Sequence, residues 1–303
     1  MKKQYVQYGL NALIGIVFIV SAVLKIISID AFELYIYSFD FVGLSLSAFA
    51  ARCFVGAELV LGVGLLLNFY PRFFRICSLL LLLVFSLFLL YVLFFYGNED
   101  NCHCFGDLIE INPLPSLIKN ILLIIILIAA KNVEAFNFGR KKLLTILLSV
   151  VLFLSIFVVL PPDNWFGSQR NTEFNEDALT ELLMDEDAVS QDLSSGVNIL
   201  CFFGVGCRYC ELAAKKLYLI RQNNPDLEMN LTGILWGKNE RYQKFREETK
   251  LDYSQVYFIE PARFLEITNG RMPLVLVLKD GEVVQSLNYA NIQEHSMIDI
   301  LSE

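Results

Sequence analysis

The chain is 303 residues long, 55% hydrophobic and formally −8 at neutral pH, long enough for two domains. Its charge is divided: residues 1–160 carry 11 Lys/Arg and 9 Asp/Glu, whereas residues 161–303 carry 13 and 23. An apolar, nearly neutral half followed by an acidic half excludes the basic surface of a nucleic-acid binder, so no nucleic-acid partner is expected.

The first half reads as membrane-embedded. Apolar runs at Gly9–Ile29, Ala48–Phe69 and Phe73–Tyr96 meet or approach the ~20 residues needed to cross a bilayer. Leu117–Ala130 is short unless it begins near Pro115, and Leu143–Leu160 is close to minimal, so five spans are expected. Lys2, Lys3, Arg72, Arg75, Lys131, Arg140, Lys141 and Lys142 flank one side, while the connections near 30–47 and 97–114 contain no Lys or Arg. The positive-inside rule then places the N-terminus in the cytoplasm and everything after span five outside. In a bacterium this means the inner membrane with a periplasmic C-terminal domain. Val20-Ser21-Ala22 is a passable signal-cleavage site, but the apolar stretch runs past it through Lys25.

Ionisable groups inside the spans are costly and usually face a partner or the bundle interior. Lys25, Arg52 and Lys119 fall in the outer halves of their spans and Glu58 lies deeper. Two readings stay open for them: mutual neutralisation, Glu58 with Lys25 or Lys119, or a polar cavity serving protons or a quinone, to which Asn120 would add a hydrogen bond. Gly56, Ala57, Gly62 and Gly64 are read as helix-contact positions.

Between spans three and four stands Asn101-Cys102-His103-Cys104-Phe105-Gly106-Asp107. A disulfide across one intervening residue closes a tight ring, and strained disulfides are the more oxidising ones. Cys102/Cys104 is therefore a redox candidate, with a static disulfide, a bridge to Cys53 or a metal site as alternatives. His103 is either a proton donor or a solvated loop residue.

Residues 132–195 read as the fifth span and an acidic linker with a short amphipathic helix at Asp177–Met184. Strand and helix then alternate from Val197: a strand to Phe203, a helix to about Gln222, strand Leu227–Trp236, helix Asn239–Lys250, strand Val256–Ile259 and a helical turn Ala262–Thr268. A hairpin (Leu274–Leu278, Glu282–Ser286) turned by Lys279-Asp280-Gly281 and a last helix Ile292–Leu301 complete an α/β domain. Cys207-Arg208-Tyr209-Cys210 sits where the first strand meets the first helix. There the helix N-terminus favours thiolate at Cys207, Arg208 adds positive charge, and Cys210 stands one turn behind to resolve a mixed disulfide.

C-x-x-C after a strand, with Met272-Pro273 before the hairpin, resembles the thioredoxin fold over Val197–Glu303. The resemblance implies a cis Pro273 and a Met272 backbone that pairs with substrate. It departs at Cys201, where thioredoxins often carry a buried carboxylate; Cys201 is read as a small hydrophobe, with a third redox cysteine as the alternative. Phe54–Gly62, Phe18–Lys25, the C-x-C-F-G string and Pro115-Ser116-Leu117-Ile118-Lys119-Asn120 resemble the DoxX/MauE family of four-helix membrane proteins over Gln4–Lys131. That family implies a membrane partner for periplasmic disulfide chemistry.

The expected architecture is an α-helical membrane bundle, four helices in 1–131 plus a fifth spanning helix in 132–195, followed by an α/β thioredoxin-like domain in 196–303. The expected function is thiol–disulfide exchange with exported proteins through Cys207/Cys210, relayed through Cys102/Cys104 to a lipid quinone. No covalently bound cofactor and no metal are expected. A reductase or isomerase, or a membrane part that only anchors the domain or serves maturation, are the alternatives.

Overall fold

A computed structural model describes residues 2–68, 70–98, 101–107, 109–130, 141–163, 171–185, 189, 193–237 and 239–302. Lys131, Arg140 and much of the acidic linker lie outside the described residues. The chain divides into two compact units: residues 1–36 with 46–162, and residues 163–303 with the short segment 37–45.

The first unit is helical: α1 (Lys2–Ile27), α2 (Ile29–Tyr37, which runs into the segment 37–45), α3 (Leu44–Leu67), α4 (Pro71–Phe95), α5 (Pro113–Ala129) and α6 (Lys141–Val159). Among the described residues, α1 from Gln4, α3 and α4 are long and apolar enough to cross a bilayer, while α5 and α6 are shorter apolar helices. Pro71 and Pro113 open α4 and α5 at a position where the missing N–H costs nothing. Ile14 and Phe18 of α1, Leu61 and Leu65 of α3, Phe74 and Leu82 of α4, and Leu123 and Leu127 of α5 form one core. Ala22, Ile29, Phe32, Ala51, Val55 and Ile156 form another, which brings in α2 and α6. The outward faces stay apolar, as at Leu83, Leu87, Leu90, Ile118, Ile121 and Ile125, which suits a lipid surround rather than water.

Two glycines set the spacing of α1 and α3. A Cβ on Gly15 would stand 2.7 Å from the Gly62 carbonyl oxygen, and one on Gly62 2.8 Å from that of Gly15, so the backbones touch where no side chain fits. Helix α2 occupies a stretch expected to be a connection. Its buried Phe32 and half-buried Tyr35 and Ile36 face the bundle, and acidic Asp30 and Glu33 disguise it as a loop.

After α7 (Glu176–Met184), capped by the Asn175 side chain accepting from Ala178 N–H, the second unit is built on a five-stranded sheet. Its elements are β1 (Val197–Gly204), α8 (Arg208–Asn223), β2 (Asn230–Trp236), α9 (Asn239–Thr249), β3 (Gln255–Phe258), α10 (Pro261–Ile267), β4 (Leu274–Lys279), β5 (Glu282–Leu287) and α11 (Glu294–Ser302). The strand order is β3-β2-β1-β4-β5, with β1, β2 and β3 parallel and β4 and β5 antiparallel to their neighbours. Central β1 is buried on both faces, which is why Ile199–Phe203 is an unbroken apolar run ending at the dithiol. Asp280 and Gly281, both at positive φ, make the two-residue hairpin turn. The Met272–Pro273 peptide is cis, as the resemblance implies.

Candidate active sites: two dithiols

Cys207 is the N-cap of α8, and its Sγ accepts from the Cys210 backbone N–H at 3.4 Å. Strand β1 delivers it there through Gly204, whose N–H lies 3.4 Å from Cys210 Sγ. Cys210 is fully buried and Cys207 is half-buried. A hydrogen bond from the Cys210 thiol, reinforced by the backbone N–H groups of Cys210 and Tyr209, lowers the Cys207 thiol to about 6. Burial and the charge on Cys207 push Cys210 far above the ordinary thiol range. One sulfur is thus held as thiolate and the other as thiol, the polarity that attack followed by resolution requires. Arg208 is exposed, and the depression comes from the Cys210 thiol and the helix N-terminus, not from the guanidinium expected to supply it.

Met272 closes over this site. A Cβ on Gly204 would stand 2.9 Å from Met272 Sδ and 3.5 Å from Cys207 Cβ. Gly204, Val205, Gly206, Cys207, Trp236, Gly237, Arg241 and Met272 line an open groove of about 510 Å³ beside the dithiol. Cys201 lies opposite Gly233 and Val275, fully buried, its thiol pushed up by burial; it packs as a small hydrophobe.

The second dithiol lies in the loop between α4 and α5, outside both helices. Cys102 Sγ lies 2.9 Å from Ser116 Oγ and receives the Cys104 N–H at 3.4 Å. A hydrogen bond from the Cys104 thiol, with Ser116, the Cys104 N–H and the Lys119 charge adding to it, lowers Cys102 to about 6. Cys104 is raised by that same bond and by burial. The two pairs therefore share one polarity, a depressed thiol backed by a buried, raised one.

Hydrogen bonds fold the loop closely. Asn101 Oδ1 accepts from the N–H groups of His103 and Ile111, and the Cys102 N–H donates to the Ile111 carbonyl. Gly106, at φ +70°, could carry no side chain: a Cβ would stand 2.3 Å from Ser28 Oγ and 2.6 Å from the Leu24 carbonyl oxygen. Ser28 Oγ accepts from the Asp107 N–H, which ties the loop to the end of α1.

Behind Cys104 the spacing of three helices brings polar groups to one point. On α1, Ser21 and Lys25 continue the buried face of Ile14 and Phe18; on α5, Ser116 and Asn120 continue that of Leu123 and Leu127. Glu58 of α3 accepts from Lys25 Nζ at 2.8 Å on both oxygens. Ser21 Oγ lies 2.8 Å from Lys25 Nζ, 3.2 Å from Glu58 Oε2 and 2.9 Å from the Cys104 carbonyl oxygen. Lys119 Nζ sits 4.5 Å above the Phe105 ring. Ser21, Lys25, Glu58, Cys104, Lys119 and Asn120 share a cavity of about 20 Å³, room for one water. The neutralising pair is thus present, with Lys25 as the partner of Glu58, and it borders a small cavity.

Arg52 and His103 do not join it. Arg52 bonds Glu33 and the carbonyls of Ala48, Leu160 and Pro161, clamping the end of α6. His103, at φ +50°, packs its ring 4.8 Å from that of Tyr35 and holds Nδ1 3.7 Å from Asp107. Ser21, Ser116 and Glu33 went unsingled as functional groups in the sequence; their spacing from Lys25, Asn120 and the bundle lip is the signal that could have found them.

Residues 3–131 match the family described as methylamine utilisation protein MauE. Over 84% of its length the chain is 28% identical to Protein TlpB of Flavobacterium psychrophilum, covering 83% of that protein. Among solved structures, the thioredoxin domain of a thiol-disulfide oxidoreductase from Bacteroides vulgatus aligns at TM-score 0.30 and 15% identity, over 36% of this chain and 81% of that one. StoA from Bacillus subtilis aligns at TM-score 0.29 and 12% identity, over 38% and 92%. Apolar helices, the family match, the strand order and the polarised C-x-x-C lead to one description. The chain is a membrane protein whose residues 3–131 match the MauE family and whose second unit, a five-stranded mixed sheet resembling the thioredoxin fold, carries a polarised C-x-x-C.

Proposed function

We propose that the chain is a membrane-anchored oxidant of exported proteins, with its thioredoxin-like domain in the periplasm. Cys207/Cys210 takes electrons from substrate thiols and passes them by disulfide exchange to Cys102/Cys104. The observation that carries this reading is the shared polarity of the two pairs: each presents one thiol lowered to about 6 and keeps its partner buried and raised. In the outward step, a substrate thiolate attacks the Cys207–Cys210 disulfide at Cys207 and Cys210 leaves as thiolate. A second substrate thiolate displaces Cys207, so the substrate gains a disulfide and the domain two thiols. In the return step the Cys207 thiolate attacks the Cys102–Cys104 disulfide, and Cys210 resolves the mixed disulfide. The electron pair then rests on Cys102/Cys104.

The acceptor proposed for that pair is a lipid quinone meeting the loop from the membrane. The cavity behind Cys104 has room for about one water and not for a quinone ring, so the quinone would meet the loop from outside the bundle. An oxidase is favoured over a reductase because the remaining cysteine near the expected cytoplasmic side, Cys77, stands without a cysteine neighbour in sequence.

The test is to trap the exchange. In Cys210→Ser/Cys104→Ser protein, Cys207 and Cys102 should accumulate as a disulfide that reductant reverses and protease mapping identifies. Absence of that link, with both cysteines alkylatable and the chain folded, overturns the relay. Acid-quenched alkylation in cells reads direction: a mostly oxidised Cys207/Cys210 pair is expected, and a mostly reduced one contradicts the oxidase.

A further inference from the structure

We infer that Glu58, acting through a single water in the cavity behind the C-x-C loop, takes and returns the Cys104 proton whenever the Cys102–Cys104 disulfide is made or broken. This rests on one part of the function proposed above, that Cys102/Cys104 is redox-active, and not on its exchange with the other domain.

Dithiol chemistry needs a proton acceptor at the second sulfur, and Cys104 is sealed from solvent at 5% exposure. The charged and titratable groups around it are Lys25 from α1, Glu58 from α3, Lys119 from α5 and Cys102 in its own loop. Helix α4 contributes apolar Leu81, Leu82 and Phe85. Of these groups the carboxylate is the base: the two lysines are cations, and Ser21 and Asn120 do not titrate. Moving the proton from Cys104 to Glu58 leaves the charge of the cluster unchanged, and Lys25 and Lys119 then stand beside the thiolate.

The geometry goes beyond an ion pair packed for its own sake. A structural pair can be packed dry, whereas this one borders a space the size of one water that reaches Cys104, walled partly by apolar side chains but offering Ser21, Lys25, Glu58, Lys119 and Asn120 as polar partners. Ser21 bridges the two ends, touching Glu58 Oε2 at 3.2 Å and the Cys104 carbonyl oxygen at 2.9 Å, so carboxylate and cysteine are held in one frame.

The step balances with any disulfide RS–SR. The Cys102 thiolate attacks one sulfur, a mixed disulfide forms and the first RS⁻ leaves. Glu58 takes the Cys104 proton through the water. The Cys104 thiolate attacks the Cys102 sulfur, the Cys102–Cys104 bond forms and the second RS⁻ leaves with its electron pair. The proton passes from Glu58 to that thiolate or to solvent. In the opposite direction Glu58 delivers the proton to the Cys104 thiolate released when the disulfide is attacked.

The experiment uses full-length Cys207→Ser/Cys210→Ser protein in lipid nanodiscs, reduced, then mixed with dithiodipyridine and acid-quenched. Mass spectrometry of the peptide holding Cys102 and Cys104 separates mixed disulfide from closed disulfide. Glu58→Gln should load Cys102 at the parent rate but close the disulfide roughly a hundredfold more slowly, the scale of a lost general base. Its closing rate should climb with pH as hydroxide takes over, while the parent profile stays flatter. Lys25→Met/Glu58→Gln removes the pair without stranding a charge and should close just as slowly; Glu58→Asp should recover part of the rate. Parent-like closing in Glu58→Gln or in the double variant overturns the inference and leaves the pair a structural one. Failure of the parent Cys102 to take up the probe would overturn the redox role of the loop itself.

Discussion

Cys102 Sγ stands 2.9 Å from Ser116 Oγ, a contact that joins the loop's lowered thiol to the first turn of α5. Ser116 is fully buried, so its hydroxyl has few alternatives to this sulfur. A hydrogen bond to a charged group contributes about 1.5–3 kcal/mol, equivalent to roughly one to two pH units of thiol acidity. Ser116→Ala should therefore raise the Cys102 thiol from about 6 by that amount. The pH midpoint of Cys102 alkylation in the reduced protein measures it. An unmoved midpoint would show that the Cys104 thiol and N–H suffice.

Gly106 makes the loop's geometry testable without touching a sulfur. Ala at this position faces a positive φ and sub-contact distances to Ser28 Oγ and the Leu24 carbonyl. Strain of this kind costs about 1–3 kcal/mol, and the loop rather than α1 must give way. Gly106→Ala should loosen the Asp107–Ser28 contact and make Cys104 accessible to alkylation in the folded protein. Protection equal to the parent's would contradict the placement.

How far such a site is legible in one dimension depends on angle as much as on depth. Ser21 and Lys25, four apart, and Ser116 and Asn120, also four apart, share helix faces, and the sequence allows that to be read. Arg52 and Glu58 are six apart on α3, about 120° around the helix from each other, so they cannot serve one cavity. Counting span depth alone put them together. Glu33, the partner of Arg52, was hidden because α2 is short and its carboxylates read as loop. The thioredoxin-like half was more legible, since strand alternation, the Asp280-Gly281 turn and the C-x-x-C are all local patterns. The source of the Cys207 shift was not: charge at Arg208 is visible in sequence, whereas the direction of the Cys210 thiol is a property of the folded loop.

The Arg52–Glu33 pair should behave as a structural clamp. Its groups are 2% and 4% exposed, and removing one partner of a buried pair costs about 3–5 kcal/mol because the other charge is stranded. Arg52→Met and Glu33→Leu should each lower the unfolding midpoint in detergent markedly. The double variant should recover most of the loss, falling short by what the Leu160 and Pro161 carbonyls forfeit. Disulfide exchange at Cys102/Cys104 should be unchanged in the double variant. A selective loss of exchange there would return Arg52 to the redox site.

The depressed Cys207 thiol sets a pH window. An ionised group whose value falls from 9.0 to about 6 in the folded, reduced domain stabilises that form fully above pH 9. That contribution shrinks as pH falls from 9 towards 6 and is gone below the folded value. In Cys102→Ser/Cys104→Ser protein, where the second lowered thiol is absent, thermal unfolding of the reduced form should show this slope between pH 6 and 9, and the form with a Cys207–Cys210 disulfide should lack it. Cys210→Ala removes the first cause of the depression and leaves only the helix N-terminus acting on Cys207. In that variant the alkylation midpoint of Cys207 should move up from about 6 towards the ordinary thiol range, and the window should narrow to match. A midpoint that stays put in Cys210→Ala would mean that backbone N–H groups alone hold the thiolate, and the paired-thiol polarity assigned to this site would fail.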